Sequence, residues 1–331
     1  MRKIIKFSRD IRITSYSAVG GYEEKNGPLG NNFDFCDESD KFGMDTWELA
    51  EAEMGRISLN IALNKQNISH DDIDVLVAGD LQNQCVSSSL GLSLFGIPFI
   101  GVYGACSTCT ESIGVLSCLM ESSQDIKYGA ATTTSHNSAA ERQFRTPIEY
   151  GGQRKPCAQW TSTAAGSFIL GDSGIAKVSE FMPGKIINGA TKDGSNMGAA
   201  MSFAAADSIL RYFEETALPL SHFDYIVTGD LGRVGSSILR EVVGKELYGF
   251  ERFHTDCGLL LYDLNEKDVH SGASGCGTSA SVLASHFLPM IERGDINRIL
   301  FLSTGALMNP GSILQGNDIY GIAPLILIER N

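Results

Sequence analysis

The sequence is poor in the features that would assign it quickly. It has two tryptophans in 331 residues and a deficit of basic residues, 26 Lys and Arg against 39 Asp and Glu, for a formal net charge of −13. Without a basic face the chain cannot displace counterions from phosphates, which argues against non-specific nucleic-acid binding. Docking to anionic lipid by charge alone is disfavoured for the same reason. The eight cysteines (36, 85, 106, 109, 118, 157, 257 and 276) are scattered without a disulfide-framework spacing, and a chain of this size needs no staples. Cys106 and Cys109 form a lone CxxC without a second Cys or His pair at zinc spacing, so no metal site is expected.

Charge is missing altogether from one stretch. From Leu81 to Thr110 there are 30 consecutive residues without Asp, Glu, Lys, Arg or His. Spanning a bilayer takes ~20 predominantly apolar residues. This run is interrupted by Gln, Asn, Ser, Thr, Gly and Pro, and its densest apolar part, Phe95 to Tyr103, is too short. It reads as buried soluble structure. The N-terminal MRKIIKFSRDIRI has charges through its apolar positions and does not read as a secretory signal. A soluble, intracellular chain is expected.

What is present is an internal repeat. ISHDDIDVLVAGDL (Ile68 to Leu81) resembles LSHFDYIVTGDL (Leu220 to Leu231), with the GDL triplets 150 residues apart. A helix-patterned stretch precedes each copy: Asp45 to Lys65, with Asp45 as its cap, and Gly198 to Thr216. Downstream, GACSTCTESIGVLSCLM (Gly104 to Met120) has a counterpart in GCGTSASVLASHFLPMI (Gly275 to Ile291). A short strand follows each, and the apolar GSFILGD and APLILIER close the two halves. Gly171 to Gly198 reads as the crossover. Alternating strands and helices predict a layered α/β architecture, and two copies predict a pseudo-twofold duplication, residues 1–190 and 191–331.

Three constellations carry candidate chemistry. In FIGVYGACSTCTESIGVL an apolar strand stops at Gly104-Ala105 and Cys106 sits on the turn into a helix. A helix N-terminus lowers a thiol pKa and offers N–H groups to an anion. The spacing fits a nucleophile elbow or anion cradle; it fits equally a small buried cysteine in a tight turn. The second, Ser135 to Pro156, is the densest cationic stretch. Its Arg154 and Lys155 read as solvated loop charges. His136 and Arg145, near a strand end where α/β ligand sites gather, read as functional. The third is the pair Asp80 and Asp230, each ending a buried strand. Asp230 reads as a structural cap, while Asp80, followed by Gln82, Asn83 and Gln84, is placed to line a pocket. His70 and His222 occupy matching repeat positions and read as structural.

With the duplication and the strand–Cys–helix elbow, the chain resembles the thiolase fold at the size of condensing enzymes of the ketoacyl-synthase III type. It is more similar still to the stage V sporulation protein AD family of spore-forming bacteria, through KNGPLG (25–30), AGDLQNQ (78–84), GACST (104–108), SHNSAAERQFRTPIEYGGQ (135–153), TGDLGRVGS (228–236), DCGLLLY (256–262) and SGCGTSA (274–280). The resemblance implies a layered αβαβα core of two pseudo-symmetric halves. It also implies a dipicolinic acid-binding subunit, with or without calcium, of the stage V sporulation A membrane complex. Such a subunit takes the compound up during sporulation and releases it at germination, peripheral to the spore inner membrane. Cys106 corresponds to the elbow cysteine. Gly229 and Gly277 stand where condensing enzymes of this type carry a His and an Asn, so no condensing activity and no cofactor are expected. Donors for the two carboxylates of dipicolinate are expected from Cys106, Ser107, Asp80, His136, Asn137 and Arg145. The alternative is an acyl-thioester transferase using Cys106, and a homodimer is compatible with the resemblance.

Overall fold

The computed structural model describes residues 4–144, 154–265 and 269–330. Ten strands form one continuous path in the order His254–Asp256, Tyr225–Thr228, Arg298–Leu302, Leu325–Glu329, Ala176–Met182, Arg12–Gly20, Ala164–Gly171, Gly129–Ser135, Val75–Gly79 and Phe99–Gly101. From either rim to the centre, each set of five runs third, second, fourth, fifth, first in chain order. In each set the first three from the rim pair in parallel and the last two pairings are antiparallel. The sets join back to back through the antiparallel pairs Arg12↔Lys177 and Ile13↔Ala176. The repeat seen in the sequence is therefore a repeat of sheet topology. Its second copy opens at Ala176, inside the stretch read as a crossover, which instead supplies a central strand.

Side-chain alternation along the strands sorts the core into layers. Phe168, Leu170, Phe301, Ile326 and Ile328 point into a middle layer, which holds Ile113, Leu116 and Met120 of the Thr108–Ser122 helix and Val282, Leu283, Phe287 and Ile291 of its counterpart. That counterpart runs Cys276–Val282, then through a π-helical segment, Leu283–Phe287, into Leu288–Arg293. Ala130 and Ile169 face outward onto the Trp47–Gln66 helix. Leu300, Leu302, Leu325 and Leu327 face outward onto the Met197–Thr216 helix. Both faces of each half-sheet are covered, which is why its strands read as near-continuous apolar runs.

The first outer helix starts one residue later than its pattern suggested. Thr46, not Asp45, is the cap, its hydroxyl accepting from Leu49 N. The middle-layer helix 108–122 is fixed at its far end by Arg9. This guanidinium donates to Met120 O (2.6 Å), Ser123 O (2.9 Å) and Ile126 O (2.8 Å) and pairs with Asp172 (2.7 Å). A cation there satisfies the last carbonyls and complements the helix dipole.

The uncharged run departs from its reading as wholly buried. Leu81, Phe95 and the elbow are buried, but Leu90, Phe99, Ile100 and Tyr103 are exposed, and Leu94 is 75% exposed. The run contains the rim strand Phe99–Gly101, so part of its missing charge belongs to an open sheet edge.

Candidate functional site at the Cys106 elbow

The Val75–Gly79 strand, the elbow and the helix 108–122 place Cys106 at the floor of a cleft between the halves. Ala105 is held at φ +53°, a left-handed conformation that turns the chain sharply. The turn is locked by Ser107 Oγ donating to Gly104 O (2.7 Å) and Glu111 (2.7 Å), and by Thr108 Oγ1 donating to Ala105 O (2.7 Å). The cleft is a narrow, partly open one, with about 430 Å³ of empty space when its solvent-filled mouth is included. Its apolar wall includes Leu81, Tyr103, Phe144, Met197 and Met308, and its polar lining is Glu141, Thr161, Ser274 and the Cys106 thiol. Among the described residues that lining holds one carboxylate and no cation.

The thiol is not activated as a helix N-terminus would activate it. The helix begins two residues later, at Thr108. Burial, and then the neighbouring Asp230 carboxylate, push the Cys106 thiol well above its ordinary range. Asp230 is itself pushed up to about 7 by burial, against the pull of its hydrogen bonds with Cys106, Thr304 and Gly275. Its oxygens accept from Thr304 Oγ1 (2.8 Å) and Gly275 N (2.9 Å). The cleft floor is thus a protonated thiol on a buried acid.

The two strand-end aspartates exchange the emphasis that sequence gave them. Asp230 does brace its surroundings, but it also touches the elbow thiol. Asp80 is not part of the cleft lining. Its carboxylate accepts from Gln82 N (2.8 Å), Ser88 N (2.7 Å) and Ser88 Oγ (2.6 Å), which ties down the start of the Val86–Leu92 helix.

Of the remaining candidates, Ser107, His136 and Asn137 do not line the cleft. Ser107 is inside the elbow. His136 is fully buried, its Nε2 2.8 Å from Asp40 O and its ring against Trp47 at 5.3 Å; burial lowers its pKa. Asn137 donates through Nδ2 to Thr161 O (2.9 Å). Arg145 lies outside the described residues. Arg154, read as a solvated charge, instead stacks on Trp160 at 4.7 Å and reaches Glu141 at 3.4 Å. Lys155 pairs with Asp193 at 3.1 Å on the surface. Glu141 could have been found from helix phase, since 140, 141 and 144 follow Asn137 at i+3, i+4 and i+7. Met197 and Met308 carry no such signal. Among the described residues no three His, Cys, Asp or Glu side chains are grouped to hold a metal ion.

The positions compared with the condensing His and Asn are closed by backbone. A β-carbon at Gly277 would lie 2.1 Å from Ala164 O and 2.6 Å from Ser135 Oγ. At Gly229 it would lie 3.0 Å from Ser303 Cα and from Thr304 N.

Comparison with known proteins bears on family and fold. The profile of the family "Stage V sporulation protein AD" matches residues 1–329. A Bacillus subtilis (strain 168) protein of that description is 38% identical over 325 residues, 98% of this chain and 96% of its own. Among solved structures, cerulenin-bound OleA of Xanthomonas campestris superposes with a TM-score of 0.60 at 11% identity, covering 97% of this chain and all of its own. The 3-oxoacyl-[acyl-carrier-protein] synthase III of Aquifex aeolicus VF5 gives 0.57 at 11%, covering 96% and 99%. These last two establish the thiolase-like fold.

Proposed function

Because the chain belongs to the stage V sporulation protein AD family, we propose that it is a non-catalytic subunit that binds dipicolinic acid, alone or as its calcium salt. In this reading it serves a spore membrane complex that takes the compound up and releases it at germination. The observation that carries the reading is the cleft floor: an unactivated thiol on a buried acid, with backbone filling the places compared with the condensing His and Asn. A flat aromatic ligand suits the slot between Tyr103, Leu81 and Phe144. Membrane association runs through protein partners. Among the described residues no helix is long and apolar enough to cross a membrane, and the net charge of −13 repels anionic lipid.

Titration calorimetry with dipicolinate tests this. Tyr103→Ala removes an exposed wall of the slot and should weaken binding about tenfold, the scale of a lost aromatic contact. Cys106→Ala should also weaken it. Unchanged affinity in both variants would place the ligand elsewhere. A second reading, acyl-thioester transfer by Cys106, is favoured by the left-handed Ala105 and by an acid at about 7 touching the thiol, a proton acceptor for its activation. Intact-mass measurement after incubation with acyl-coenzyme A separates the two, since a thioester adduct of Cys106 would support the second.

The proposal includes a homodimer formed along the rim strand Phe99–Gly101. Among the described residues this edge is unpaired on one side, and no charged residue of the run from 81 to 110 guards it. Light scattering should give twice the chain mass, and Ile100→Lys should give a folded monomer whose melting temperature no longer depends on protein concentration. A monomeric wild type would remove this part of the proposal.

A further inference from the structure

A dicarboxylate entering the cleft meets Glu141 in the lining and Asp230 beneath Cys106, and no lining cation among the described residues. Among the described residues, positive charge is available behind the lining carboxylate. One guanidinium is in reach. Arg154 Nη1 donates to Glu141 Oε1 at 3.4 Å and to Gln159 O at 3.2 Å. Charge-assisted N–H···O bonds are ordinarily 2.7–2.9 Å, so the guanidinium is held loosely by the carboxylate. Its plane is fixed from the other side by Trp160, 4.7 Å from the ring centroid, which pre-organises the fork.

Resting on the dicarboxylate reading above, we propose that Arg154 is the residue by which the cleft selects a carboxylate. The guanidinium exchanges its long bond with Glu141 for a shorter, two-point bond to the carboxylate of the ligand. Trp160 holds it in place, and Glu141 is its resting counter-ion and the competitor of the ligand. No covalent step is involved. The assignment moves anion recognition away from the elbow, where the Ser107 hydroxyl already bonds Gly104 and Glu111 and the thiol faces an acid.

The two partners should then act with opposite signs. In calorimetric titrations with dipicolinate, Arg154→Gln should weaken binding at least about tenfold, and Arg154→Lys should recover part of the loss. Glu141→Gln should tighten binding severalfold, because it removes both a like charge and the competitor. The neutral diamide of the same acid should be insensitive to Arg154→Gln, a readout that general damage to the fold would move. Wild-type affinity for dipicolinate in Arg154→Gln, or weaker binding in Glu141→Gln, would overturn the assignment while leaving the ligand reading standing. A wild type that does not bind dipicolinate would overturn both.

Discussion

Gly277→Asn is expected to destabilise the fold rather than to create a condensing centre. The Cys276–Val282 helix lies directly on the Ala164–Gly171 strand, and Gly277 N donates to Ser135 Oγ at 3.2 Å. A β-carbon at 277 would stand 2.1 Å from Ala164 O, well inside van der Waals contact. The neighbour is sheet backbone and cannot rotate aside. Relief requires lifting the helix off the strand, which would open the middle layer around Val282 and Leu283. Overpacking of this kind costs about 3 kcal/mol or more, a fall in melting temperature of about 4 °C or more for a chain of this size. Gly229→Ala, which adds the β-carbon alone, should be milder, about 1 kcal/mol, because its nearest contacts are 3.0 Å to backbone and 3.3 Å to Ser279 Cβ. The ranking is the test: equal melting temperatures for Gly277→Asn and wild type would show that helix and strand are not in this contact. If the ranking holds, the close approach of helix and strand at Gly277 is a property of how the core packs, and a side chain there is not accommodated.

The difference between what sequence disclosed and what it hid follows the range of the interactions. The elbow is legible because a strand, two small residues, a cysteine and a helix are contiguous, and local sterics alone demand the turn. The duplication is legible because both copies keep the strand-plus-GDL pattern. The central strands are harder to read. ITSYSAVG and AKVSEFM carry hydroxyls and a Glu where a buried strand is expected to be apolar. Their partners explain this: Ser15 Oγ donates to Ala62 O (2.7 Å) and Ser17 Oγ to Ser58 O (2.6 Å), both on the outer helix, and Glu180 accepts from Tyr212 (2.7 Å). Buried polar groups are admissible when each is bonded, but those partners are 32 and more residues away in the chain. The cleft shows the same division. Cys106 was visible, whereas Glu141, Thr161, Met197 and Met308 meet only because the halves fold against each other. Asp80 and Asp230 look equivalent in the repeat; the thiol lies against one and a helix start against the other.

That division also leaves two carboxylates buried side by side, and their ionisation should set how stability depends on pH. Glu51 accepts from Gln82 Nε2 (2.6 Å) and Thr134 Oγ1 (2.9 Å), with no cation among these contacts. Burial, and then the charge of Asp80, push it up to about 8, and burial raises Asp80 as well. In the unfolded chain Glu51 titrates near its ordinary 4.5. Between these two values the folded state binds more protons than the unfolded one, so stability must fall as pH rises. The contribution is complete below pH 4.5 and lost once pH passes about 8. Glu24 and Asp230, at about 7, and Asp256, at about 6, have the same sign. Melting temperature measured from pH 5 to 9 should therefore decline steadily, and Glu51→Gln, which cannot ionise, should flatten the decline and be the more stable protein at pH 9. A melting temperature that rises over this range, or an unchanged slope in Glu51→Gln, would rule the mechanism out. The effect should reach the cleft too. Asp80 immediately precedes Leu81, a residue of the apolar wall, so charge repulsion between Glu51 and Asp80 loosens that wall. Dipicolinate affinity should fall with the same midpoint as stability, and Glu51→Gln should remove that part of its pH dependence.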